Sequence, residues 1–366
     1  MERERHAAKG MQCFIKQFCN LPDIFKKYGL SILSISRSKY VIGRFELYQK
    51  INYNPKIKPI HVSFPSEITT IDPTNLYSES AALHCALVTG MIADVLGEDA
   101  LQTVSGRMSS NRFDFKLKTL TGNYVNINVN NSQVETDGGY ESANQFMIVE
   151  AKNERVEDFL IRQLYYPYRL WKEKTFKEVR PVFFTYSNDI FSFFVFEFSD
   201  SMTYNSLKVI SQKDFVIAHE EISLNDIIKL AHIIAIQPEP KIPFPQADNF
   251  PRIIDLLGLL ADKNLDKDTI TTNYDFDERQ TNYYTSAGMY LGLIEKYNDI
   301  ETKKIMFKLS KKGKQIMKLR FKEKYLELAA CILTHEPFKQ VLLEYLQTST
   351  PPNKNRIVEI MKRCNL

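Results

Sequence analysis

Gln133-Val134-Glu135-Thr136-Asp137, followed after twelve residues by Glu150-Ala151-Lys152, is the stretch that decides how this chain is read. Side chains alternate along a strand. Glu135 and Asp137 therefore share one face, and on the next strand Glu150 and Lys152 share one face while Val149 and Ala151 turn into a core. If the two strands pair, Asp137 and Glu150 converge with Lys152 beside them. Two carboxylates at that range suit a hard divalent cation, Mg²⁺ or its substitute Mn²⁺. A neighbouring ammonium orients a water and helps to deprotonate it, a set that suits in-line attack on a phosphodiester. Glu135 is a supporting acid and the alternative to Asp137. A Glu-x-Lys on a strand otherwise marks a solvated face, so the surrounding elements have to decide.

Working outward, Ser78 to Leu96 reads as one helix: Ser78 can cap it, Glu79 falls in its first turn, and Leu83, Leu87, Met91 and Val95 recur at i+4. Arg112 to Leu120 (RFDFKLKTL) alternates with period two. Thr121-Gly122-Asn123 turns the chain and YVNINVN alternates again, which is a hairpin. Gly138-Gly139 reads as a turn after the acid. Gln145 to Lys152 is a strand with a solid apolar middle, Phe146-Met147-Ile148-Val149. Val156 to Trp171 is an amphipathic helix, Val179 to Tyr186 and Ile190 to Phe198 are strands, and residues 30–50 suggest two more. The order over residues 78–186 is α-β-β-β-α-β. The fold class expected is α+β, a mixed sheet flanked by helices.

These segments resemble the PD-(D/E)xK nuclease superfamily, whose core is αβββαβ with an acid ending one strand and ExK on the next. TDGGYES, IVEAKN and the helix IRQLYYPYRLW carry the resemblance, which covers about Ser78 to Tyr186. It implies Asp137, Glu150 and Lys152 as the catalytic three, with Asp137 and Glu150 holding the metal. Gln163 lies where some members place the Gln of a QxxxY motif, although the tyrosines here are Tyr165, Tyr166 and Tyr168. Glu79 stands where members often carry an extra acid on the first helix, and it equally serves as favourable N-terminal charge. The Pro that precedes the acid in the family is replaced by Thr136.

Gln237 to Pro251 holds five prolines and reads as an extended linker. It separates residues 1–77, an N-terminal extension, and 78–236, the nuclease core, from residues 252–366. In that last part Arg252 to Ala261 and Lys267 to Asn273 read as helices. Asp277-Glu278-Arg279-Gln280 fits a capping box opening a third, and a hairpin of Leu293 to Tyr297 and Ile305 to Leu309 follows. Three helices and then a two-stranded hairpin is the winged helix-turn-helix order. Arg279, Gln280, Asn282 and Tyr283 would meet base edges, or Asn282, Tyr283 and Ser286 if the helix starts two residues later. Ala287, Tyr290, Leu291 and Leu293 would face the core. Residues 303–324 hold ten Lys or Arg, including Lys303, Lys304, Lys311, Lys312 and Lys314, against one acid, Glu323. That excess is larger than the +4 of the whole chain and is a footprint for phosphate.

The remaining composition excludes more than it selects. In 366 residues, 13 Gly and 15 Pro rule out collagen and a disordered chain, and 24 Phe with 19 Tyr favour strands and a large core. The longest apolar-leaning run, Ala81 to Ala93, is too short for a membrane span. Met1 to Gly10 has no apolar region after it and does not read as a signal peptide. Five cysteines without a CxxC point to a reducing cytoplasm and away from disulfides or structural zinc. The expectation is a Mg²⁺-dependent, sequence-specific endodeoxyribonuclease acting on double-stranded DNA. It resembles a type II restriction endonuclease of host defence, alone or as a homodimer. A repair or recombination nuclease of the same superfamily is the alternative. A non-catalytic winged-helix regulator is the alternative of another class.

Overall fold

The computed structural model describes residues 17–18, 21–218, 222–274, 278–300 and 302–364. The chain divides into two compact units. One takes the chain up to Ile71 and Ser78–Val216, and the other takes Asp72–Tyr77 and Ile217–Leu366. Cys13, Cys19 and the Asp277 of the expected capping box lie outside the described residues.

In the first unit, α1 (Asp23–Tyr28), β1 (Ser31–Ser34), β2 (Tyr40–Gly43), β3 (Tyr48–Lys50) and β4 (Ile60–Val62) precede α2 (Glu79–Val88) and α3 (Met91–Leu96). There follow β5 (Leu101–Ser109), β6 (Arg112–Lys118), β7 (Tyr124–Asn130), β8 (Gln133–Glu141), β9 (Gln145–Lys152) and β10 (Asp158–Leu160). The unit ends with α4 (Arg162–Lys174), β11 (Glu178–Ser187), β12 (Ile190–Phe198) and β13 (Leu207–Ile217). Seven strands make one mixed sheet in the order β4-β13-β12-β11-β9-β8-β5. β8 is antiparallel to β5 and to β9, β9 is parallel to β11, and β11, β12 and β13 form an antiparallel meander. α4 makes the crossover between the parallel pair and packs on β8, β9 and β11, while α2 packs on β8 and β9. Every residue of β9 from Phe146 to Lys152 is buried, as a central strand requires.

Several sequence expectations change. The hairpin β6–β7 forms a separate two-stranded sheet, and the strand it was expected to supply is β5. In β5 the apolar residues are Leu101, Val104 and Met108; the last two share a parity and are half-buried, but Leu101 at the start of this edge strand is exposed and breaks the period of two. The Ser78–Leu96 helix breaks into α2 and α3 at Gly90, whose φ of +78° a helix does not allow. The start of the expected Val156–Trp171 helix is instead β10, paired with β3, and α4 begins at Arg162 and runs through Pro167.

In the second unit, α5 (Leu224–Ile233) is followed by α6 (Phe250–Asp262), β14 (Leu265–Asp266), α7 (Lys267–Tyr274) and α8 (Glu278–Tyr290). Then come β15 (Ile294–Asn298), β16 (Ile305–Leu309), α9 (Lys311–Ile316), α10 (Phe321–Leu333), α11 (Glu336–Thr348) and α12 (Lys354–Arg363). The three short strands pair as β14-β16-β15. Ala287, Tyr290, Leu291 and Leu293 join the core with Leu256, Leu257 and Phe307.

The proline-rich segment forms no helix or strand until α6 opens at Phe250, but it is not a free linker. Ile242 and Phe244 pack on the second core, Phe244 stacks on Phe338 at 5.3 Å, and Glu239 accepts hydrogen bonds from Tyr290 and from His335 Nδ1 (3.2 Å). α5 packs on α10 and α11, so the first unit closes at Val216 rather than at residue 236.

Candidate active site

Asp137 lies in the middle of β8, not at its end, and Gly138-Gly139 continues the strand instead of turning it. Both glycines are needed there for space. A Cβ on Gly138 would come within 2.7 Å of the Tyr140 ring, and one on Gly139 within 2.8 Å of Val104 Cβ and 2.9 Å of Phe146 Cζ. The turn comes later, where Ser142 N–H donates to the Gln145 carbonyl. Opposite Asp137 the ladder is irregular. Val104 pairs with Gly139 and Gly106 with Thr136, so one residue of β5 faces two of β8. Such a bulge re-aims a side chain. The β8–β9 register ends at Gly138–Val149, so Asp137 and Glu150 stand just beyond the paired ladder. The freed Ala151 N–H donates to Asp137 Oδ2 at 2.8 Å.

Around this strand end the expected residues converge. Lys152 Nζ is 2.6 Å from Glu150 Oε1 and 3.5 Å from Glu79 Oε1. Gln163, one residue into α4, donates its amide to Glu150 Oε1. Glu150 and Lys152 are buried, which removes the solvated-face reading of the ExK. Glu135 does not join them. It forms an exposed ion pair with Arg107 at 3.1 Å, the register partner opposite it on β5.

Burial first, and then the charge of Glu150, raise the Asp137 carboxyl to about 7. Burial works against the Lys152 charge, but the carboxylates of Glu150, Glu79 and Asp137 outweigh it and hold its pKa above the ordinary value. The lysine is an ammonium at neutral pH. The site thus gathers three carboxyl groups around one fixed cation.

The donor set fits a hard divalent ion. Asp137 and Glu150 offer carboxylate oxygens, and Ala151 offers a carbonyl oxygen that already accepts from Lys152 Nζ at 2.5 Å. Gln163 Oε1 is buried with no partner among the described residues, a polar atom left for a water or ligand. Among the described residues no three His, Cys, Asp or Glu converge as a full cage. Mg²⁺ is usually held by one or two carboxylates and keeps several waters.

Sequence reasoning missed Tyr53 and Thr185, which lie beside this site. Thr185 is the register partner of Lys152 across β9 and β11, and Tyr53 Oη lies 3.5 Å from its hydroxyl. Parallel pairing joins segments 33 residues apart, and no local pattern announces it.

In the second unit, α8 exposes Arg279, Asn282 and Tyr283 and half-buries Gln280 and Ser286, while Thr281, Tyr284, Thr285 and Ala287 face inward. The exposed set at i, i+3, i+4 lies along one side of the helix. A cleft of about 430 Å³ separates this side from the hairpin, lined by Asn282, Ser286, Met289, Lys296 and Ile305. The basic segment is less bare than its composition suggests. Lys304 pairs with Asp266 (3.4 Å) and Asp268 (3.7 Å), Lys308 with Glu295 (3.3 Å) and Lys322 with Asp226 (3.1 Å), and Lys324 is buried. Lys303, Lys311, Lys312, Lys314, Lys318 and Arg320 remain exposed. No helix among the described residues is long and apolar enough to cross a membrane.

Two domain families match the chain, one over each unit. Residues 43–216 match "Domain of unknown function (DUF6997)" and residues 252–366 match "Domain of unknown function (DUF7226)". No curated protein and no solved structure matches the chain.

Proposed function

We propose that this protein is a Mg²⁺-dependent endodeoxyribonuclease, with its cleavage centre in the first unit and a winged-helix DNA reader in the second. The observation that carries the reading is the convergence of Asp137, Glu150, Lys152 and Gln163 at one strand end, with Glu79 beside them. In the main sheet and its helices these residues follow the order α2, β5, β8, β9, α4, β11, an α-β-β-β-α-β succession. This supports the PD-(D/E)xK resemblance and, with the second unit, the type II restriction layout.

Asp137 and Glu150 would hold the ion, with the Ala151 carbonyl as a third oxygen. The bound Mg²⁺ supplies charge stabilisation to the phosphate and acidifies a water. Lys152, kept as an ammonium, donates to the attacking water or to the phosphate oxygen on which charge builds, and it does not act as a base. Gln163 fixes the Glu150 carboxylate, and its free Oε1 can accept from the water. In the second unit the succession helix, strand, helix, helix, hairpin supports the winged helix. Arg279, Gln280, Asn282 and Tyr283 would then read base edges, and the exposed lysines at 303, 311, 312 and 314 would meet phosphates.

The test is cleavage of supercoiled plasmid with Mg²⁺ and with EDTA. The wild type should cut only with Mg²⁺ or Mn²⁺. Glu150→Ala and Lys152→Ala should each abolish cutting while retaining DNA binding in a mobility-shift assay. Undiminished cutting by either variant removes the assignment, and metal-independent binding without any cutting by the wild type favours the regulator.

A further inference from the structure

Three residues beyond Lys152, the chain presents an exposed arginine, Arg155. Glu154 and Glu157 are its near neighbours in sequence, yet Arg155 forms no ion pair among the described residues. Its guanidinium lies over the Tyr53 ring, 4.0 Å from the centroid. Tyr53 is itself fixed from three sides. Phe194 packs edge-on against its ring at 5.1 Å, Val156 N–H donates to its hydroxyl at 3.3 Å, and that hydroxyl lies 3.5 Å from Thr185 Oγ1. Thr185 is opposite Lys152, and Phe194 is opposite Phe183, which is opposite Glu150. The ring therefore stands on the same sheet rows as the two central site residues, about one or two strand spacings away, at roughly 5 Å per strand.

We infer that Arg155, aimed by Tyr53, binds a DNA phosphate next to the one being cut. The inference rests on the nuclease reading of the Asp137–Glu150–Lys152 centre. A guanidinium stacked on an aromatic ring keeps its donor edge free and loses little freedom on binding, and its planar fork matches a phosphate. Its offset from Lys152 suits a flanking phosphate and not the scissile one. Arg155 is thus a substrate-binding residue and Tyr53 a positioning residue for it.

The experiment uses the full chain, with Mg²⁺ and a plasmid substrate that the wild type cuts. Arg155→Ala should raise KM roughly tenfold to a hundredfold, the effect of one charge-assisted hydrogen-bonding group, with a smaller change in kcat. The log–log salt dependence of kcat/KM should become shallower by about one unit. Arg155→Lys should restore the salt dependence but only part of the KM, since it keeps the charge and loses the fork. Tyr53→Leu should show a smaller rise in KM than Arg155→Ala, with the salt dependence kept. Thermal melting of Arg155→Ala should match the wild type, because the side chain is exposed. Wild-type cutting with KM and salt dependence unchanged in Arg155→Ala overturns this inference and leaves the nuclease reading standing, as does a loss confined to kcat. Absence of cutting by the wild type overturns the nuclease reading and this inference with it.

Discussion

Asp137 titrates near 3.8 in an open chain and near 7 in the fold, raised by burial and then by Glu150. Between those values the folded protein binds the extra proton, so each step up in pH weakens the fold. The cost is absent below about pH 4 and complete above about pH 7. In EDTA, Asp137→Asn should therefore stabilise the protein at about pH 8, by an amount on the order of a few kcal/mol, and change little at about pH 4. Urea denaturation of both proteins at the two pH values checks this, and an equal effect at both would mean that the carboxyl is not the source. Asp137, Glu150, Lys152 and Gln163 were all legible in the sequence, because strand alternation and one helix bring them together over 27 residues. The spare acid Glu135 was not separable from Asp137 by alternation. Its fate depended on Arg107, which a strand the sequence did not announce places opposite it.

At the scale of elements, β8 keeps its line through Gly138 and Gly139 only because neither has a side chain. Gly139→Ala should cost about 1–3 kcal/mol in thermal or urea unfolding, because Val104 Cβ and the Phe146 ring stand in the way and the first is fixed to its strand. An unchanged midpoint would show that the strand can move aside. In the sequence the pair read as a turn, since glycine doublets more often mark turns than close approach. The basic segment after β15 makes the second prediction at this scale. Replacing Lys311 and Lys314 together by Ala should flatten the salt dependence of DNA affinity by up to about two log–log units. Lys304→Ala should leave it almost unchanged, because Asp266 and Asp268 already neutralise that ammonium. Equal effects from the two variants would place phosphate along the hairpin as well. The inward and outward sides of α8 were readable in advance from helical periodicity, whereas the pairing of each lysine was not.

At the scale of the whole molecule, the second unit does not begin where its helices begin to read as a domain. A fragment starting at Arg252 loses α5, the stacking of Phe244 on Phe338 and the Glu239 bonds to Tyr290 and His335. It should be at least about 2 kcal/mol less stable in urea than a fragment starting at Ile217. Equal stabilities would make the proline-rich stretch a passive connector after all. Composition marked that stretch as lying outside regular elements, and up to Asn249 it does, but irregular chain can be a strap as well as a tether, and only its partners tell which. The first unit has a comparable dependence on distant chain. β3 finds its partner in β10, and β4 finds its place only beside β13. On a ribosome adding roughly 5–20 residues per second, β4 emerges about 7–30 s before β13 exists to receive it. The nascent chain therefore displays Asp137, Glu150 and Lys152 on an unfinished sheet, and a message truncated before residue 207 releases a product with β12 as a raw edge, exposed to chaperones and proteases.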